Sequence, residues 1–134
     1  MGQQQLLLII LGVIVVGIAV VVGITMFQDN AISANRDAVT NDLVNLGARA
    51  QQYYRRPLAL GGGGNSFALV DMGKLTQPVS GGTWTNPNGS YSIGSPTDSS
   101  QVTVVGLGIE KSGGNPVQVS CRVTADSLTT TVVN

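Results

Sequence analysis

The chain has 134 residues with seven basic and seven acidic side chains, so its formal net charge is zero. That balance gives no electrostatic footprint for nucleic acid and no acidic tail for a cationic partner. Charged residues make up 10%, against roughly 25% in an ordinary soluble domain; Gly, Ser, Thr and Asn take their place, as on a secreted, neutral, β-rich surface. There is no histidine, which removes the commonest general base and metal ligand. The single cysteine, Cys121, cannot close an internal disulfide and reads as a small buried hydrophobe.

The first predicted element is apolar on every side. Residues 1–28 contain no charged side chain, and residues 6–24 read LLLIILGVIVVGIAVVVGI without interruption. At about 1.5 Å per residue such a helix nearly crosses roughly 30 Å of hydrocarbon. A signal peptide fits less well, because its apolar region runs about 7–15 residues behind a basic segment, and no Lys or Arg precedes this run. The rest of the chain is too small to hide a helix that is hydrophobic all round, so membrane insertion is expected.

The helical pattern then continues with a different face. Residues 29–56 contain no Pro and one Gly, Gly47. Ile32, Val39, Leu43, Leu46, Ala50 and Tyr53 recur at the spacing of one helical stripe. Asn35, Arg36, Asp37, Asn41, Asp42, Asn45, Arg49 and Gln52 are assigned to the solvent side. Asp29 and Asp37 stand toward the start and Arg49, Arg55 and Arg56 at the end, as the helix dipole prefers. Pro57 and the run Gly61-Gly62-Gly63-Gly64 stop the pattern. One helix is therefore predicted from about residue 2 to 56, roughly 80 Å long. Gly12, Gly17 and Gly23 each weaken it by roughly 1 kcal/mol relative to Ala. No proline precedes Pro57, so a continuous helix is favoured. Residues 57–65 read as a flexible Gly-rich linker.

Residues 66–134 read as an antiparallel β domain, giving an α+β fold. Candidate strands are 66–70, 83–85, 90–93, 101–107, 117–124 and 129–133, β-branched and bounded by turn formers such as Pro87-Asn88-Gly89 and Ser95-Pro96. Val117, Val119, Cys121 and Val123 alternate with Gln118, Ser120 and Arg122, which makes one face buried. The natural cover for that face is the stripe from Ile32 to Tyr53, with Tyr53 packed and Tyr54 exposed.

A long helix, hydrophobic in its first half and amphipathic in its second, leading into a glycine- and polar-rich sheet domain, resembles the type IV pilin family. Counted from Met1, the apolar run starts at Leu6, as in that family. Position five is Gln5, where the family usually carries a glutamate that neutralises a neighbour's terminal amine. No basic leader ending in Gly precedes the run, so the sequence is read as a mature chain or one that needs no leader. The resemblance implies a structural subunit that polymerises through its hydrophobic helix into an extracellular, type IV pilus-like filament used in adhesion or motility. Leu6, Leu7, Ile10, Ile14, Val15, Ile18, Val21 and Val22 would pack the filament core, and Met1, Gln3, Gln4 and Gln5 would make the polar contacts of the N-terminus. The implied partners are further copies of the chain, the membrane before assembly and the inner-membrane pilus assembly machinery.

Two other readings stay open: a minor pilin or pseudopilin, suggested by Gln5, and a single-pass membrane-anchored binding domain. No zinc-protease, CxxC, nucleophile-elbow, P-loop or EF-hand spacing occurs. The expectation is therefore a non-enzyme with no cofactor, metal or catalytic residues. Asn88-Gly89-Ser90 matches a glycosylation acceptor but is read as a turn.

Overall fold

A computed structural model describes residues 2–134. Helix α1 (Gly2–Arg55) runs unbroken for 54 residues, through Gly12, Gly17 and Gly23. A 3-10 turn (Leu58–Leu60) and a short helix α2 (Met72–Leu75) follow. The strands are β1 (Thr83–Asn86), β2 (Gly89–Gly94), β3 (Gln101–Ser112), β4 (Asn115–Thr124) and β5 (Leu128–Val132). They form one antiparallel meander in the order β1-β2-β3-β4-β5. The architecture is α+β, as the hydrophobic periodicities require.

The core lies between the second half of α1 and the inner face of the sheet. Val39, Leu43, Leu46 and Ala50 come from the helix, and Val102, Val104, Val117, Val119, Cys121 and Val123 from β3 and β4; all are buried. Val102 stands opposite Val123, and Val104 opposite Cys121. Small β-branched side chains on a pleated surface make a flat floor on which a helix can lie close. Tyr91 of β2 is also fully buried and stacks on half-buried Trp84 of β1, with ring centroids 5.2 Å apart.

Three expectations for the connection between helix and sheet are corrected. Residues 66–70 are not a strand. The Ala68 amide donates to Ser66 Oγ, and the Val70 amide to the Phe67 carbonyl at 3.1 Å, so hydroxyl and backbone close a turn instead of joining a ladder. Phe67 is fully buried there, its ring 4.7 Å from that of Tyr54, which is half-buried and not exposed. α2 was not anticipated; Asp71 caps it by accepting from the Lys74 amide at 3.0 Å.

Residues 57–65, expected to be a flexible linker, form a hydrogen-bonded cap. The last carbonyls of a helix lack partners within it. Here the amide of Gly63 donates to Tyr53 O at 2.8 Å, Gly64 to Arg56 O at 3.0 Å and Asn65 to Tyr54 O at 2.8 Å. A Cβ at Gly63 would lie 2.8 Å from Tyr53 Cε1, so glycine lets the loop fold back onto the helix end.

Candidate functional site

The two halves of α1 meet different surroundings. Seventeen large apolar side chains between Leu6 and Phe27 are each 51–80% exposed. Among the described residues, α1 is the one helix long and apolar enough to cross a membrane. At roughly 1.5–3 kcal/mol for each side chain removed from water, this bare segment represents tens of kcal/mol of unused apolar burial. Among the described residues no other stretch exposes a comparable run of large apolar side chains, which makes it the candidate functional surface.

The core-packing candidates Leu6, Leu7, Ile10, Ile14, Val15, Ile18, Val21 and Val22 are all exposed on this segment. At about 100° per residue they cover roughly half the helix circumference. The other half carries Leu8, Ile9, Val13, Val16 and Val20, equally bare. The surface is therefore a cylinder and not a stripe, a fact contained in the unbroken apolar run. Gln3, Gln4 and Gln5 are exposed and helical; Met1 lies outside the described residues.

The helix-to-sheet candidates behave differently. Val39, Leu43, Leu46, Ala50 and Tyr53 are buried, and Ile32 is partly buried against the core. Tyr53 sits at the capping loop, with Lys74 Nζ 5.6 Å from its ring centroid.

Two polar residues that the sequence pattern places on the solvent face instead key the helix onto the sheet. Asp42 Oδ2 accepts from Tyr91 OH at 2.6 Å, Asn86 Nδ2 at 2.8 Å and Asn88 Nδ2 at 2.9 Å. Burial alone would raise this carboxyl, but the three donors, Tyr91 foremost, together outweigh it and hold the group below its ordinary value. Burial, followed by the hydrogen bond to Asp42, pushes the Tyr91 hydroxyl strongly upward. Asn35 is buried; its Nδ2 donates to Asn88 O at 2.8 Å and its Oδ1 accepts from the Glu110 amide at 3.2 Å.

That last bond depends on a β-bulge. Leu107 pairs with Gln118 and Lys111 with Pro116, so three residues of β3 (108, 109 and 110) face Val117 alone on β4. The extra residues bend the strand and free an amide for the helix. A Cβ at Gly108 would collide with Asn35 Oδ1, and one at Gly106 would come within 2.7 Å of Val39 Cγ1. Glycine at these two strand positions lets α1 approach the backbone closely. The spacing of Asn35, Val39, Asp42 and Leu46 is itself a stripe spacing, the sequence signal that could have placed both polar residues inward.

Among the described residues no group of three or more His, Cys, Asp or Glu side chains could hold a metal ion. Cys121 is fully buried, and burial pushes its thiol up to about 11. No family model matches the chain, and neither does any curated protein or solved structure. The site thus presents a long apolar helix, uncharged on its side chains, anchored to a small sheet by a packed stripe and two polar keys.

Proposed function

We propose that this chain is the structural subunit of an extracellular filament of the type IV pilin kind, inserted in the membrane before assembly and bundled through residues 6–27 afterwards. The observation that carries the reading is the bare segment itself: seventeen exposed large apolar side chains on a helix continuous with a folded domain. Lipid can cover such a cylinder, and so can identical helices once the chain leaves the lipid. A rigid, capped connection to the sheet suits a subunit that must carry its domain in a fixed pose. The inner-membrane pilus assembly machinery would move the chain from one environment to the other. Gln5 supports a second reading, a minor pilin or pseudopilin, since a neutral amide offsets less of a buried terminal charge than the family's glutamate does.

Electron microscopy of material sheared from cells expressing the full chain tests the proposal. Long filaments with helical order, built from this chain, are the expected result. Short assemblies in which it is a trace component would select the minor-subunit reading. A detergent-solubilised monomer that forms no ordered polymer on detergent removal would overturn both and leave a membrane-anchored domain.

A further inference from the structure

The bulged hairpin reaches toward the bare helix. Gln51 Nε2 donates to Thr124 O, and Thr124 pairs with Gln101, so β3 begins beside the C-terminal part of α1. By Glu110 the strand is bonded to Asn35. β3 therefore runs antiparallel to α1, toward the apolar segment. Ile109, Glu110 and Lys111 share a groove of about 400 Å³ with Gln28 and Ile32. Two or three more residues at about 3.3 Å each carry the Gly113–Gly114 turn roughly 7–10 Å further. At about 1.5 Å per helical residue, that places the turn near the level of Phe27.

Phe27 is also where a bilayer would end. Residues 6–27 carry no charge and span about 33 Å at 1.5 Å per residue, close to one hydrocarbon thickness, and Asp29 is the first charged side chain. Phe27 is 80% exposed, and Ile109, 64% exposed, stands on its water side in the groove with Gln28 and Ile32. The bulge presents Ile109 outward, and Lys111 beside it can meet lipid phosphate.

We propose that the bulged end of the β3–β4 hairpin is a second membrane contact: in the inserted protomer Ile109 and Lys111 rest in the phospholipid headgroup layer on the water side of Phe27. Helix and hairpin then meet the bilayer as two feet locked together by Asn35, which fixes the tilt of the domain over the surface. The inference rests on residues 6–27 spanning the bilayer and is independent of whether the chain forms filaments.

Tryptophan fluorescence in vesicles tests it. The full chain is reconstituted at low density into phosphatidylcholine–phosphatidylglycerol vesicles brominated at a shallow or a deep acyl position. Trp84 is the only native tryptophan and lines a groove with Asp42, Asn45 and Arg49, roughly 20 Å or more beyond Phe27 along the helix; it serves as the unquenched reference. Ile109→Trp should add a blue-shifted component that loses intensity more with shallow than with deep bromines. Leu69→Trp, exposed beside the capping loop, should add an unquenched one, so that tryptophan's own interfacial preference is controlled. Ile14→Trp should be quenched most by deep bromines. If position 14 is quenched and position 109 is not, the hairpin contact is wrong while the membrane span stands. If neither is quenched, the span itself fails and takes the inference with it. A blue shift at 109 that appears only in concentrated protein and is insensitive to bromine would assign the groove to a second copy of the chain and overturn the lipid contact.

Discussion

Residues 6–27 and residues 29–55 belong to one helix, yet opposite circumstances hold them. Backbone hydrogen bonds run through both, and neither half contains proline. The first half has no charge and buries nothing within the protomer; the second carries a buried stripe, two inward polar keys and a solvated back. Both halves satisfy their backbone by the same helical hydrogen bonding, whereas side-chain surroundings decide what stabilises each half and what it is for. The second half is stabilised by the sheet. The first is a stable helix only where something apolar, lipid or protein, surrounds it. Removing residues 1–28 should therefore have the largest effect and the most lopsided one. The remaining chain should stay folded, with the sheet's circular dichroism and thermal midpoint retained, and should lose the membrane association and polymerisation proposed for the full chain. A truncated chain that unfolds would show that the two halves are one cooperative unit.

Single truncations sharpen the same contrast. Leu43 is fully buried against the sheet, and Leu43→Ala should destabilise the domain by about 2–5 kcal/mol through lost burial and a residual cavity. Ile14→Ala, chemically similar but at an exposed site, should leave the domain's denaturation midpoint unchanged. Urea titration of both in detergent reads the difference. Equal losses would mean that residue 14 packs on its own domain after all.

The polar keys come next. Asp42→Asn weakens the one acceptor shared by Tyr91, Asn86 and Asn88. Tyr91 is fully buried, so the expected cost is about 1–3 kcal/mol. The same carboxylate sets an acid dependence. Its folded value lies below its ordinary value of 3.8. Its stabilisation is therefore present above about pH 4 and is lost as pH falls through the lower folded value. Asp98, exposed and held down chiefly by Ser100, contributes with the same sign. Acid unfolding of Asp42→Asn should be shallower than that of the parent, with Asp98→Asn as the comparison. An unchanged acid limb in the Asp42 variant would remove its assigned role.

What could be read in advance follows from how far each signal reaches along the chain. The unbroken apolar run and the 3.6-residue stripe are local patterns, and both elements appear where those patterns stand. The alternation of residues 117–123 likewise fixes which face of β4 is buried. Residues 66–70 read as a strand although they form a turn, because Phe67 and Val70 look alike in a strand and in a turn with one buried ring. The distinction depends on whether a partner strand is within reach. Asn35 and Asp42 were placed outward by their polarity, although their spacing put them on the inner stripe. Their partners lie 44 to 75 residues away in sequence, and no local pattern announces them. The bulge at residues 108–110 is a register difference between two strands, which neither strand shows alone.

The smallest effect should come from the deepest titratable group. Cys121 faces Val104 in the middle of the sheet, with no exposed surface. It behaves there as a small apolar side chain, so Cys121→Val, a modest change in core volume, should cost less than about 1.5 kcal/mol at neutral pH. Burial pushes the thiol from 9.0 up to about 11. Between those values an unfolded chain gives up its proton while the folded one keeps it, so stability falls as pH rises from about 9 to about 11. Tyr91 adds a loss of the same sign at still higher pH. Cys121→Val should remove the earlier part of the alkaline decline and leave the later part. Iodoacetamide gives an independent reading. Native protein should resist alkylation at pH 8, and urea-unfolded protein should react at the rate of a free thiol. Rapid alkylation of the native chain would mean that the sheet opens at β4, the strand on which the second half of α1 rests, and the rigid anchorage inferred for that half would fail with it.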